Sequence, residues 1–131
     1  MKLDPYKHKE RYLNWKAKAL GAGVEGLSTD NSKLLLDYVF DMEKGLNVSV
    51  TNKKGSRSYP RLNNLRQRLT FMMKSFQDRF GVDNVTKISE ADLFSYFTGM
   101  RNGEIKTNKG KIYKSVADYI KVFKAFWHWH M

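Results

Sequence analysis

From Tyr59 to Phe80 the apolar residues Leu62, Leu65, Leu69, Met72, Phe76 and Phe80 recur every three or four positions, which places them in one stripe along a single long helix. Pro60 suits the first helical turn, and Ser58 is positioned to cap it. The helix is preceded by a basic, glycine-containing loop, Asn52 to Ser58. Lys53, Lys54, Arg57, Arg61, Arg66 and Arg68 lie in that loop or on the other faces of the helix, and no acid follows them before Asp78. One element therefore builds the core and carries a concentrated positive charge. Packing requires only the stripe, so the unneutralised cations call for a second explanation, and a nucleic-acid backbone supplies one.

The whole chain agrees. Its 131 residues suit one domain with a real core, and 24 Lys plus Arg against 13 Asp plus Glu give a formal charge of +11. Such an excess draws in polyanions and repels its own copies, so the isolated domain is expected to be monomeric. Nucleic acid is the commonest polyanion, an anionic membrane surface a rarer one. No apolar run approaches the roughly 20 residues that span a bilayer, and no cleavable leader pattern opens the chain, so a cytoplasmic protein without a membrane partner is expected. With no cysteine, disulfides, thiolate metal sites and cysteine nucleophiles are excluded together. Apolar residues at 41% and aromatics at 14% argue for a packed domain over a basic tail.

The pattern predicts five helices. Lys7 to Leu20 reads as a peripheral helix with Tyr12, Trp15 and Leu20 on one face, stopped by Gly21 and Gly23. Capping oxygens at Ser28, Thr29, Asp30 and Asn31 precede a helix from about Ser32 to Lys44, with Leu35, Tyr38, Val39, Met42 and Leu46 inward and Gly45 as its stop. Asp37, Asp41 and Glu43 make it acidic, so it should face away from a polyanion. Val48 to Thr51 reads as a short extended segment. Gly81 ends the long helix, and Val85 and Ile88 fold inward. Ser89 caps a helix carrying Leu93, Phe94, Phe97 and Met100 inward. After a second basic loop, Glu104 to Lys114, the last helix starts near Lys114 or Ser115 with Val116, Tyr119, Ile120, Phe123, Phe126 and Trp127 at helical spacing. The chain thus divides into an N-terminal helical extension, residues 1–25, and an all-α four-helix bundle, residues 26–131.

Two basic zones, Lys53 to Arg68 and Lys106 to Lys124, belong to the second and fourth helices of that bundle. Alternate helices of an up-down bundle run roughly parallel and can present one surface. Lys53, Lys54, Arg57, Arg61, Arg68, Lys109, Lys111, Lys114 and Lys121 are the candidate phosphate contacts. Tyr59, Asn63, Asn64, Gln67 and Tyr113 could reach sugars or base edges, with Ser115 beside them. Arg61, Asn64 and Arg68 share a face by spacing and are the candidates for entering the major groove of double-stranded DNA.

The order N-S-K-L-L-L-D-Y-V-F-D-M-E-K-G from Asn31, a basic loop and long helix, K-I-S-E-A-D-L-F-S-Y-F from Lys87 and Y-K-S-V-A-D-Y-I-K-V-F-K-A-F-W-H-W from Tyr113 resembles the N-terminal core-binding domain of archaeal and phage-type tyrosine recombinases, the lambda-integrase or Xer-like family. The resemblance spans roughly Trp15 to Trp129. It implies a SAM-like bundle whose second and fourth helices face DNA, forming with a C-terminal catalytic domain a clamp around the recombination site and oligomerising there. It also implies that the catalytic residues lie in that downstream domain, beyond Met131. No tyrosine here is assigned as a nucleophile, no cofactor is expected, and the long segment Val48 to Ser58 and the loop Asn102 to Lys111 depart from the family pattern.

Plainer readings compete at several positions. Met72 and Met73 beside Phe71 and Phe76 suit an adaptable core better than a cofactor box. His128 and His130 flank Trp129 but point apart on a helix, and without a third ligand they make no metal site. Asp37 and Asp41 read as a solvated acidic face. A helical DNA- or RNA-binding regulator and a protein-interaction bundle with incidental cations are the alternative functions. No short helix-turn-helix spacing supports the former.

Overall fold

The computed structural model describes residues 7–45, 58–105 and 116–131. Its regular structure is helical throughout: α1 (His8–Ala22), α2 (Thr29–Lys44), α3 (Tyr59–Phe80), a 3-10 turn (Val85–Lys87), α4 (Glu90–Arg101) and α5 (Val116–His130). The expected extended segment at Val48 to Thr51, the inward position of Leu46 and the start of the last helix at Lys114 or Ser115 lie outside the described residues.

Helix boundaries follow the capping chemistry. The hydroxyls of Ser28, Ser58 and Ser89 each accept a hydrogen bond from the backbone N–H three residues on, which satisfies a donor the first turn leaves open. Gly81 ends α3 with φ 65°, a left-handed conformation that costs glycine nothing. The start of α2 lies three residues earlier than the sequence pattern suggests, because Ser28 and not Asn31 is the cap.

Asn31 and Ser32 are consequently inside the helix and buried, and both are satisfied there. The Ser32 hydroxyl accepts from the Val24 N–H at 2.8 Å. The Asn31 side-chain carbonyl accepts from the Val85 N–H at 2.7 Å, while its amide donates to Gln77 at 2.9 Å. Gln77 also accepts from the Ser28 N–H at 2.8 Å and donates to the Gly26 carbonyl at 3.0 Å. The Ser28 hydroxyl donates to the Asp83 carbonyl. This polar junction fastens the start of α2 to the last turns of α3 and to the segment that follows it.

Around α3 the other helices close a single core, with α1, α2 and α5 all packing on it and α4 packing on α5 and reaching α3 through the Tyr96 ring. Leu62, Leu65, Leu69, Met72, Met73 and Phe76 are buried along it. Contacts between α3 and α5 advance in the same direction along both helices: Arg68 meets Asp118, Phe71 meets Tyr119, and Phe76 meets Phe123. The two helices therefore run parallel. Gly99 is where α4 and the following loop come closest, since a Cβ there would lie 3.1 Å from the Ile105 side chain.

Two apolar residues expected inside are outside. Leu20 is 64% exposed because Ala19 takes the buried position next to it, and Phe94 is 75% exposed because α4 packs through Tyr96, Gly99 and Met100. Phe94 and Tyr96 are separated by about 200° around a helix, so only one of them can face the core. Asp41 also departs from a solvated role: it is half-buried and accepts from the Trp129 indole N–H at 2.9 Å.

Glu43 joins α1 to the end of α2, accepting from the Tyr12 hydroxyl and from Lys16 Nζ, both at 2.8 Å. Burial acts to raise the Glu43 pKa, but the two hydrogen bonds and the Lys16 charge outweigh it and hold the carboxyl below its ordinary value. Burial and the bond to Glu43 raise the Tyr12 phenol.

Two expectations follow. Asn31→Ala strands the Val85 N–H and leaves the Gln77 oxygen with the Ser28 N–H alone, and denaturant unfolding should show a loss of about 1–3 kcal/mol. A depressed carboxylate pKa stabilises the folded state above the unfolded pKa and loses that contribution as pH falls through the folded value. Glu43→Gln should thus lower the melting temperature at pH 7, with the gap to wild type closing as the pH drops below the usual glutamate range.

Candidate nucleic-acid interface

Packing on three sides leaves α3 room for charge only along its flanks. Arg66 and Arg68 stand two residues apart, about 200° around the helix, and so leave by opposite sides. Their environments decide what each can do.

Arg68 turns onto α5. Its guanidinium lies 4.7 Å from the centre of the Tyr119 ring and 3.8 Å from Asp118, with its side chain only 23% exposed. Its Nη1 is buried without a hydrogen bond among the described residues. The residue that spacing nominated for the major groove is thus held in the α3–α5 seam. Arg61 is exposed on the same flank two turns earlier, donating to the Asn64 side-chain oxygen at 3.4 Å, and Asn64 is half-buried. Lys121 is exposed on α5, one turn beyond Asp118. Tyr59 is half-buried with its ring 5.8 Å from that of Tyr12, which makes it part of the α1–α3 packing. Asn63, expected to reach sugars or base edges, is buried instead. Its amide donates to the His8 carbonyl at 2.9 Å and its oxygen accepts from Arg66 Nε at 2.8 Å. Lys53, Lys54, Arg57, Lys109, Lys111, Tyr113, Lys114 and Ser115 lie outside the described residues.

Arg61, Asn64 and Arg68 thus share the α3–α5 edge, with Asp118 as the acid beside Arg68, while Lys121, two residues from both Tyr119 and Phe123, leaves α5 on the side away from α3. Because α3 and α5 are parallel, the helix starts at Ser58 and Val116 point the same way along the bundle. In sequence, each of them directly follows one of the two basic segments.

The opposite flank holds residues the sequence pattern did not single out. Between α1 and α3 runs a groove of about 1420 Å³ whose walls carry Arg11 and Lys18 from α1 and Arg66 and Lys74 from α3. Asn14 and Gln67 also line it, and Glu25 and Asp78 are its acids. A signal existed: Arg11 and Lys18 are seven residues apart, and Arg66 and Lys74 eight, so each pair shares a helical face. Reading the first helix as peripheral concealed it.

A second concavity, about 610 Å³, is mostly apolar and lies between α4 and α5, where Phe94, Phe97, Ile120 and Trp127 line it. His128 and His130 are both exposed, and the described residues contain no group of three His, Asp or Glu placed to hold a metal ion. No described helix is long and apolar enough to cross a membrane. In comparisons with protein-family models, curated proteins and solved structures, nothing matches this chain.

The two arginines of the α3–α5 flank should separate in mutation. Arg68→Ala removes a stacked, mostly buried side chain and should cost about 1–2 kcal/mol in chemical unfolding. Arg61→Ala, exposed and bonded only to Asn64 among the described residues, should stay within about 0.5 kcal/mol of wild type.

Proposed function

We propose that this chain is a double-stranded DNA-binding module of the kind its sequence resembles, the core-binding domain of a site-specific tyrosine recombinase. In this reading it grips the recombination site with a catalytic domain carried elsewhere in the parent chain and performs no chemistry itself. The observation that carries it is the parallel packing of α3 on α5. That direction points the starts of both helices, and so the attachment points of both basic segments, the same way along the bundle. Helix starts also carry partial positive charge and free N–H groups, which suit phosphate oxygens.

Affinity in this arrangement comes mainly from phosphate neutralisation by Arg61, Lys121 and the cations of the two segments, Lys53, Lys54, Arg57, Lys109, Lys111 and Lys114. Asn64, next to Arg61 and half-exposed, is the side chain best suited to a base edge. Arg68 contributes by fixing α5 against α3, and its charge reaches the surface attenuated by Asp118. The net charge of +11 adds long-range steering of a polyanion.

Binding to a duplex of about 30 base pairs, measured by fluorescence anisotropy between 50 and 200 mM salt, should weaken steeply, with log affinity linear in log salt. Arg61→Gln together with Lys121→Gln should reduce the slope by about two. No measurable binding at 50 mM salt would end the proposal.

A further inference from the structure

The groove between α1 and α3 has no part in the arrangement just described, yet it gathers four cations against two acids. The ion pairs among the described residues are Lys16–Glu43, Lys33–Asp37 and Arg68–Asp118, and none involves Arg11, Lys18, Arg66 or Lys74. Arg11 bonds to His8 and Arg66 to Asn63, both uncharged partners in the neutral-histidine state. Arg66 lies 5.1 Å over the Trp15 ring, which fixes its guanidinium at the wall of the groove.

Burial, and after it the nearby Arg11 charge, both draw the Arg66 guanidinium below its ordinary pKa, with the Tyr12 phenol opposing them. The fold thus lines one groove with two guanidiniums that repel one another. An anion seated there would relieve that repulsion. The remaining cations extend the row: Arg11 to Lys18 is a rise of about 10 Å along α1, and Arg66 to Lys74 about 12 Å along α3. Opposed positive walls in a concave, partly apolar trough concentrate the field between them. Asn14 and Gln67, between the cations of each wall, add neutral donors for phosphate oxygens. Glu25 and Asp78 follow Lys18 and Lys74 in sequence, so the acids sit toward the C-terminal ends of the two helices and leave the Arg11–Arg66 end positive.

We propose that the α1–α3 groove is a second seat for a phosphodiester backbone, with one phosphate held between Arg11 and Arg66 and its neighbours along the strand reached by Lys18 and Lys74. A trough with cations on both walls accommodates one strand's ridge, whereas the α3–α5 edge is an open surface. The proposal rests on the nucleic-acid reading above and enlarges its footprint. DNA would contact both flanks of α3, and α1 becomes part of the binding surface instead of a peripheral extension.

The test compares wild type, Arg11→Gln/Lys18→Gln and Arg61→Gln/Lys121→Gln for binding to the same duplex over the same salt series, with polyglutamate of matched charge as competitor. All four side chains are exposed, so melting curves should show the variants folded. The groove seat requires that Arg11→Gln/Lys18→Gln flatten the salt slope by about two, which at 0.1 M salt is a loss on the order of 50-fold in affinity. If wild type binds and only Arg61→Gln/Lys121→Gln changes the slope, the groove proposal fails while the DNA reading survives. Absence of wild-type binding sinks both. Polyglutamate displacing DNA at equal charge concentration would show a generic anion trough and overturn the assignment to phosphodiesters.

Discussion

Everything in this fold is arranged by the burial of one stripe on α3. Leu62, Leu65, Leu69, Met72 and Phe76 are each at most 2% exposed, and covering them takes helices on three sides. A helix enclosed in that way projects charge freely only from its open side, where Arg61 lies. Its half-buried arginines run along the seams, with their stems on apolar neighbours and their heads at the rim. Arg66 does so over Trp15 and Arg68 over Tyr119. Core packing, not surface chemistry, therefore sets the directions in which positive charge leaves the element.

That constraint explains what could be read from the sequence and what could not. Caps at Ser58 and Ser89, the stop at Gly81 and the α3 stripe depend on residues a few positions apart, and the sequence pattern locates them closely. Four residues around the start of α2 offer capping oxygens, and while Ser28 takes the cap, the burial of Asn31 rests on bonds to residues 46 and 54 positions away, of which local pattern contains no trace. Phe94 and Tyr96 present the same limit in α4. Each could serve an amphipathic face, and the choice falls to Tyr96 because its ring packs 4.7 Å from that of Phe76. Val122 is buried for a similar reason, since α5 is covered by α2 and α4 as well as α3.

For the candidate interface the sequence gives the cations but not their partners. Spacing correctly puts Arg61, Asn64 and Arg68 on one flank of α3, yet cannot show that Asp118 and Tyr119 arrive opposite Arg68. Nor can it show that Arg66, counted with the same basic zone, belongs to a different flank and lines a groove with Arg11 from α1. A count of charge treats the zone as one patch. The packed helix divides it in two, and the division follows directly from a separation of about 200° between residues i and i+2.

The division also runs along the length of α3. Its last turns are committed to structure: Gln77 makes three hydrogen bonds to the α2 side of the molecule, and Phe76 sits among Phe80, Tyr96 and Phe123. Its first half carries Arg61, Arg66 and Arg68, with few acids near them. Like charges gathered on one half of a helix destabilise it, and the screening they lack must be offset by something that holds the helix elsewhere. The polar junction around Asn31 and Gln77 does so at the far end, through bonds among neutral groups that do not compete with an external anion. Anchoring at one end lets the other remain electrostatically uncompensated, which is the condition a surface needs if binding a polyanion is to be favourable and not merely an exchange of one internal counter-charge for another.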